Sequence, residues 1–326
     1  MNKKIIFLSN IDSFFVSHRL PIAKQLLIDG YEVYIATEYT TYQKKLIRMG
    51  FKTYNIKFNR NSMNLFKMFV PFFQILTLLV KIKPSILHLI SIKPIILGGF
   101  LPFILPIKSV VISITGLGSL YTKKSFFFIL RENILNVFLR VIFILPNLNI
   151  ILQNRSDLNY LIKKTGLKKN KVKIIKGSGV DLEKFKFSRI TYKIPKILMA
   201  SRIIEDKGVL EFIKAASYLK KKKFKAKFYL IGDVDKANPS VIHKKTVDNW
   251  IKNKLVNYVD HQQNIEMFIK RSAIVVLPSY REGFPKILME AAAIGRPVIT
   301  TNVPANVLRV YILLVNGSIH SFQPNI

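Results

Sequence analysis

Glu282 and Glu290 stand eight positions apart in the run Pro278-Ser-Tyr-Arg-Glu282-Gly283-Phe284-Pro285-Lys286-Ile287-Leu-Met-Glu290-Ala. From Ile287 to Ile294 the only polar side chain is Glu290. A helix that apolar on every side is expected to be buried. A carboxylate inside it is costly unless it finds donors. Pro285 suits the first turn of that helix, because its missing N–H would have had no partner there. The free N–H groups of the turn and the positive end of the helix dipole then face a loop able to hold an anion. A buried carboxylate beside such a helix start points to a polyhydroxylated phosphate ester, such as a nucleotide-sugar.

Two cations form a second group. Ser201-Arg202-Ile-Ile-Glu205-Asp206-Lys207-Gly208 follows one predicted strand and leads into a helix. Arg202 therefore falls at the C-terminal end of a strand, where open α/β sheets bind ligands. Lys207 lies near a helix start, where a cation opposes the dipole. Both placements make sense if the two share an anion. The alternative is ordinary surface charge, with Glu205 and Asp206 as capping acids. Asp233 and Asp235 form an Asp-x-Asp after another strand. They read as a turn; a metal site is the weaker alternative, because nothing nearby reads as a further ligand.

The N-terminal half carries less specific signals. Thr115-Gly116-Leu-Gly118 is a glycine-bearing loop after a strand, suited to close approach of a ligand or simply to a tight turn. His18 and Arg19 follow the first strand at the front of an amphipathic helix. They suit an acidic acceptor or a proton transfer, or equally a partly buried helix-start pair. His88 and Lys93 flank the end of another strand, with the same two readings.

Short β-branched runs alternate with longer helical patterns and supply the frame for these residues. Predicted strands are Ile5–Leu8, Glu32–Ala36, Ile86–Leu89, Val110–Ile114, Ile150–Leu152, Ile197–Ala200, Phe228–Ile231, Ile274–Leu277 and Val298–Thr300. Helical patterns include Ser17–Asp29, closed by Gly30, and Gly208–Lys221. Short apolar strands separated by helices indicate parallel sheets covered on both faces. Phe187–Pro195 reads as a polar linker, which gives an α/β fold with domains at 1–186 and 187–326 and a cleft between them. Asn306–Ile326 shows neither a helix period nor a clear strand–helix unit.

Composition bounds the partners. The chain has 326 residues, half of them hydrophobic, and no cysteine, which excludes disulfides, thiolate metal sites and a cysteine nucleophile. Its formal charge is +34, with 52 Lys and Arg against 18 Asp and Glu. Such a charge suits nucleic acid, an anionic membrane face or a diphosphate ligand. Lysine-rich composition alone does not explain the scarcity of acids. The N-terminus turns polar too soon for a signal peptide, and no uninterrupted apolar run reaches the roughly 18 residues of a spanning helix. Ser62–Lys83 and Lys123–Arg140 mix basic residues with Phe, Leu and Ile. They suit a lipid interface or a core helix with a basic edge. Nucleic-acid binding is disfavoured, since these segments carry Phe more than stacking Tyr or Trp and show no recognition signature.

In combination, the chain resembles the retaining glycosyltransferases of family 4. The resemblance runs from the first strand to about Pro304. It rests on Ser201-Arg202 to Lys207-Gly208, on Gly177-Ser-Gly179-Val180-Asp181, and on Glu282-Gly-Phe-Pro to Glu290-Ala. Phe15-Val-Ser-His18-Arg19-Leu-Pro, His88-Leu-Ile-Ser-Ile-Lys93-Pro and Thr115-Gly-Leu-Gly-Ser-Leu-Tyr121 are similar to a subgroup that adds N-acetylhexosamine to lipid-linked glycans in bacterial O-antigen, capsule and N-glycan assembly.

The resemblance implies the GT-B fold, two doubly wound Rossmann-like domains facing across a cleft. The N-terminal domain would bind the acceptor and the second, incomplete here, the UDP-sugar donor. Arg202 and Lys207 would neutralise the donor's diphosphate, and Glu282 would lie near the donor sugar. The backbone of Gly283, Phe284, Pro285, Lys286 and Ile287 would cap the phosphates, and Glu290 would accept ribose hydroxyls. His18, Arg19, His88, Lys93, Thr115 and Gly116 would lie on the acceptor side. No metal or cofactor is implied.

The implied acceptor is a glycan on polyprenyl diphosphate, handled at the cytoplasmic face of an anionic membrane. After Val303-Pro304 the chain departs from the family pattern. A frameshifted or truncated gene product is the corresponding expectation, with an inactive remnant that still binds UDP or membrane as the alternative function.

Overall fold

The computed structural model describes residues 3–58, 66–117, 126–190, 193–235, 238, 240–302, 307–313 and 319–322. The chain divides into two compact units, Met1–Ser178 and Gly179–Ile326. The segment before Phe187, placed with the first domain from sequence, goes with the second unit. Phe185 is buried in that unit's core beside Leu198, Ile231 and Val298, and Val180 packs against the same cluster.

The first unit is a seven-stranded parallel sheet of β1 (Lys4–Ile11), β2 (Glu32–Glu38), β3 (Lys52–Asn55), β4 (Ile86–Ile90), β5 (Ser109–Ile114), β6 (Leu148–Leu152) and β7 (Val172–Ile174). The strand order is β3-β2-β1-β4-β5-β6-β7, so the direction of winding reverses between β1 and β4. Parallel strands need covered crossovers. These are α1 (Asp12–His18), α2 (Leu20–Ile28), α3 (Gln43–Arg48), α4 (Phe66–Ile82), α5 (Ile92–Gly98), α6 (Phe126–Ile142) and α7 (Arg155–Thr165). Side chains alternate between faces along a strand. Leu8 and Leu89 accordingly meet Ile75, Leu79 and Leu139 of α4 and α6. Phe7 and Ile35 meet Phe15, Ala23 and Leu46 of α1 to α3 on the other face.

The second unit repeats the winding with β8 (Lys196–Ala200), β9 (Lys227–Ile231), β10 (Asn257–Val259), β11 (Ile274–Leu277), β12 (Val298–Asn302), β13 (Val307–Leu313) and β14 (Ile319–Phe322) in the order β10-β9-β8-β11-β12-β13-β14. β8 to β12 are parallel, whereas β13 and β14 are antiparallel. Its helices are α8 (Val209–Lys221), α9 (Lys244–Lys252), α10 (Ile265–Lys270) and α11 (Lys286–Ile294).

Every strand expected from sequence is present. The strands not expected are the edge strands β3, β7 and β10, together with β13 and β14. The first three have only three or four residues and lack a continuous apolar run, because an edge is not buried on both sides. The expected helix Ser17–Asp29 is two helices that break at Arg19, whose φ of −127° is not helical. Pro21 explains the break, because it has no N–H for the preceding turn. The tail, read as patternless, is an antiparallel hairpin against β12.

The segment read as a linker is anchored. Ser188 N–H donates to the Ile294 carbonyl at 3.2 Å. Arg296, only 1% exposed, donates to the Ser188 carbonyl and hydroxyl, both at 2.7 Å. It also reaches the carbonyls of Ile269 at 3.2 Å and Lys270 at 2.7 Å. Replacing it with methionine, a side chain of similar length, leaves those carbonyls without donors. Arg296→Met is expected to destabilise the second unit by about 3 kcal/mol. Trp250, the single tryptophan of the chain, lies in that unit's core, so urea unfolding followed by its fluorescence reads this loss directly.

Candidate functional site

Three loops at the C-terminal ends of neighbouring strands build the site in the second unit: those after β8, β9 and β11. A parallel sheet collects its loops at that end, which is why ligands bind there. Gly208 brings the first and third together. Its φ of +74° is a left-handed conformation, and a Cβ there would lie 2.1 Å from the Pro278 carbonyl oxygen. Only glycine permits that approach. Tyr280 N–H donates to the Asp206 carbonyl at 3.0 Å and ties the same loops. Gly232, at φ +143°, does the same for the first and second loops, since a Cβ would lie 1.9 Å from the Ser201 carbonyl oxygen.

The close approach sets Lys207 against Glu282, 75 positions away in sequence. Lys207 Nζ lies 2.5 Å from Glu282 Oε1, and the Ser279 hydroxyl donates to the same oxygen at 2.7 Å. Arg202 is paired separately, its Nη1 lying 2.9 Å from Asp235 Oδ2. The two cations that the sequence suggests would share an anion thus each hold a carboxylate of their own. Asp233 accepts the His261 N–H at 3.1 Å, a long-range tie rather than a local turn bond. Among the described residues no group of three or more His, Asp or Glu is placed to hold a metal ion.

Glu290 is buried in α11, and Lys286 Nζ lies 3.2 Å from its Oε1 one turn away. Burial pushes the carboxyl above its ordinary value, and the Lys286 charge only partly opposes this. Lys184 and Glu266, 3.5 Å apart, add opposing influences on the same carboxyl. The helix is not apolar-buried all round, as its sequence suggests. Ala292 is exposed and Ile287 to Met289 are half-buried, because only one side of α11 packs on the sheet. Pro285 is the N-cap, one residue before the first turn, and has no side-chain oxygen with which to cap it. Gly283 is half-buried beside the cap and Phe284 is exposed.

In the first unit His18 and Arg19 stand at the end of α1, His88 lies within β4, Lys93 lies in α5, and Thr115 and Gly116 follow β5. The His18 ring stacks on Phe14 at 4.2 Å, and its Nδ1 lies 2.6 Å from the Ser17 hydroxyl. Arg19 is buried and donates to the His18 carbonyl at 3.1 Å. His88 Nε2 lies 2.7 Å from the Ser113 hydroxyl. Burial, with the Arg19 charge beside it, lowers the His88 pKa to about 3, so the ring is neutral at physiological pH. Lys93 donates to the Phe58 carbonyl at 2.9 Å. Thr115 and Gly116 are half-buried, with Gly116 at φ +142°. Gly118 to Tyr121 lie outside the described residues.

Sequence reasoning missed several partners. Lys184 is set by Asp181, whose carboxylate accepts the Glu183 and Lys184 N–H groups at 3.0 and 3.1 Å. Asp12, fully buried, accepts from Thr40, Thr41 and Tyr42 at 2.7 to 3.0 Å and locks the start of α1 to the β2–α3 loop. Burial alone would raise its pKa, but these hydrogen bonds outweigh it and hold the carboxyl below the ordinary range. Asp12 belongs to no local pattern that sequence spacing reveals, because its partners come from a loop distant in the chain.

Two doubly wound sheets with cations and carboxylates converging on strand ends define the class: a GT-B glycosyltransferase. Residues 194–321 match the family model described as glycosyl transferases group 1, and residues 4–145 match the one described as glycosyl transferase 4-like. The chain belongs to this glycosyltransferase family and is a hexosyltransferase-type enzyme.

It is 29% identical over 313 residues to the N,N'-diacetylbacillosaminyl-diphospho-undecaprenol alpha-1,3-N-acetylgalactosaminyltransferase of Campylobacter jejuni, covering 92% of this chain and 80% of that one. It is 26% identical over 242 residues to the UDP-Gal:alpha-D-GlcNAc-diphosphoundecaprenol alpha-1,3-galactosyltransferase of Escherichia coli, covering 70% of this chain and 60% of that one. Among solved structures, the sucrose-phosphate synthase of Thermosynechococcus elongatus superposes with a TM-score of 0.71 at 16% identity, covering 92% of this chain and 82% of that one.

The Glu290 environment yields a pH signature. A carboxyl whose folded pKa is raised opposes folding once it ionises, so its unfavourable contribution is absent well below the ordinary carboxylate pKa. The contribution grows as pH rises from there through the raised folded value and is constant above it. Glu290→Gln removes it. The variant is expected to melt with the wild type in acid and above it at neutral pH, read from Trp250 fluorescence.

Proposed function

We propose that the chain transfers a sugar, N-acetylhexosamine by its subgroup resemblance, from a UDP-sugar to a glycan carried on polyprenyl diphosphate, with retention of anomeric configuration. The Lys207–Glu282 contact carries the reading. It brings a cation and a carboxylate from distant loops to one point at the strand ends of the second unit. Arg202 and Lys207 meet the negative charge of the departing diphosphate, as fixed charges do for a leaving group. Glu290 accepts the ribose hydroxyls, and the backbone from Gly283 to Ile287 caps the phosphates. Glu282 lies at the donor sugar. His18, Arg19, His88, Lys93, Thr115 and Gly116 serve the acceptor in the first unit. The donor's own phosphate assists deprotonation of the acceptor hydroxyl, so no side chain is assigned as base. The two relatives, one named for UDP-Gal and both for a diphosphate-linked undecaprenol, support this donor and acceptor.

The same reading places the enzyme on the cytoplasmic face of an anionic membrane. Among the described residues no helix is long and apolar enough to cross a bilayer. α4 buries Ile75, Leu78, Leu79 and Ile82 in the core, yet exposes Phe69, Val70, Phe73 and Val80. α6 likewise exposes Ile134, Val137 and Val141. A cavity of about 630 Å³ opens between α4 and β3, lined by Phe69, Phe73 and Tyr54 with Lys81 among its walls. Exposed apolar side chains on a chain of charge +34 suit a surface of anionic lipid.

Two experiments test the proposal. In a transfer assay with UDP-N-acetylhexosamine and a polyprenyl-diphosphate-linked glycan, Glu290→Gln and Arg202→Ala are each expected to lower turnover at least about 100-fold while the Trp250 melt stays cooperative. Unchanged turnover refutes the assignment, and UDP binding without any transfer by the wild type marks a remnant that has lost its chemistry. In co-sedimentation with phosphatidylglycerol vesicles, the double variant Phe69→Ser/Phe73→Ser is expected to lose about tenfold in partition. Equal partition of variant and wild type removes α4 from the membrane contact.

A further inference from the structure

Among the described residues, no carboxylate pairs with one buried cation of the first unit. Arg19 sits between α1 and α2 and is 5% exposed. It donates through Nη1 to the His18 carbonyl, but its buried Nε has no partner. Burial lowers its pKa from the ordinary guanidinium value. Asp12, the buried carboxylate of the same β1–α1 segment, has its oxygens taken by Ser13, Thr40, Thr41 and Tyr42. His88, which feels the Arg19 charge, is held neutral and bonded to Ser113.

Two hydroxyls stand unpartnered at the same end of the sheet. Ser9 on β1 and Thr37 on β2 are fully buried, and neither hydroxyl has a hydrogen-bond partner. Alternation puts Thr37 two residues beyond Ile35, on the face covered by α1 to α3, and Ser9 stands opposite it at the bulge of β1 between Leu8 and Ile11. His88 pairs in register with Phe7, and its ring lies 5.0 Å from that phenyl, so the histidine shares this face. Asn10 and Ile11 after Ser9, His18 before Arg19, and Ser91 after β4 are half-buried.

Taking a guanidinium out of water carries a penalty of several kcal/mol, which only a well-placed counter-charge offsets. Buried hydroxyls without partners add to it. Guanidinium and hydroxyl donors together match the oxygens of a phosphate group. We propose that Arg19, with the Ser9 and Thr37 hydroxyls, forms a phosphate-ester site in the first unit that holds the diphosphate of the lipid-linked acceptor. This assignment rests on the reading that the nucleotide's diphosphate is held by Arg202 and Lys207 in the second unit. A diphosphate at Arg19 would come from one of two sources, the acceptor lipid or the donor nucleotide, and binding measurements separate them.

The probes are farnesyl diphosphate below its micellar concentration, farnesol and UDP, each titrated calorimetrically into the full chain. Arg19→Met removes the charge and keeps the length; Arg19→Lys keeps the charge without the planar fork. Wild type is expected to bind farnesyl diphosphate well above farnesol. Arg19→Met is expected to lose about 30-fold in farnesyl diphosphate affinity and nothing in UDP affinity, with Arg19→Lys between. Because the charge it deletes is unbalanced, Arg19→Met is also expected to melt no lower than wild type, a result that a purely structural arginine would not give.

Equal farnesyl diphosphate affinity in wild type and Arg19→Met overturns the proposal. So does a melt lowered in both variants with the affinity of their folded fraction unchanged. A loss confined to UDP moves the phosphate to the donor and overturns the acceptor assignment. Failure of wild type to bind UDP, with farnesyl diphosphate binding still dependent on Arg19, sinks the donor reading and leaves this site standing.

Discussion

A charge taken out of water must be met by something, and this chain takes several out. Each unit solves the problem differently at different depths. Arg296 donates to carbonyls and to one hydroxyl, and so staples a segment to the sheet. Asp12 is met by a loop's N–H groups and becomes a fastener between strand ends. Glu290 is met only in part by Lys286, and the shortfall appears as a raised pKa. His88 avoids the problem by staying neutral. The completeness of the match separates groups that hold the fold from groups that await a ligand.

The fold was legible in the sequence wherever burial on both faces imposes a continuous apolar run. The central strands β1, β2, β4, β5, β8, β9 and β11 are such runs. The edges were not, because Lys52-Thr-Tyr-Asn and Asn257-Tyr-Val need satisfy only one neighbour. The cations Arg202 and Lys207 and the carboxylates Glu282 and Glu290 stood out by type and spacing. Their partners did not. Asp235 for Arg202 and Ser279 for Glu282 depend on which loops the sheet order brings together. That order is set by crossovers, which no local window contains. The glycines at 208 and 232 were visible as residues, but their purpose is visible only once the opposing carbonyls are in place.

The helices α4 and α6 offered two readings, interfacial or core, and the structure bears out the core reading for one side of each. One side of each fills the first unit's core while the other leaves phenylalanine and branched side chains in the open. Such a helix cannot be told from a wholly buried one by periodicity, since both faces are apolar. The distinction lies in what the sheet has room to cover.

The pairing of Arg202 with Asp235 and of Lys207 with Glu282 has a consequence for discrimination among ligands. Each of the two cations is matched by a carboxylate, which weakens its pull on a small anion. On the donor reading, a phosphate must oust a carboxylate that is tethered and therefore always at hand. Inorganic phosphate, abundant in any cell, has nothing else to offer in that contest. A nucleotide brings a ribose and a base as well, and wins on contacts that the orthophosphate ion lacks. Rejection of the commonest anion would then arise from internal rivals rather than from the contour of a pocket.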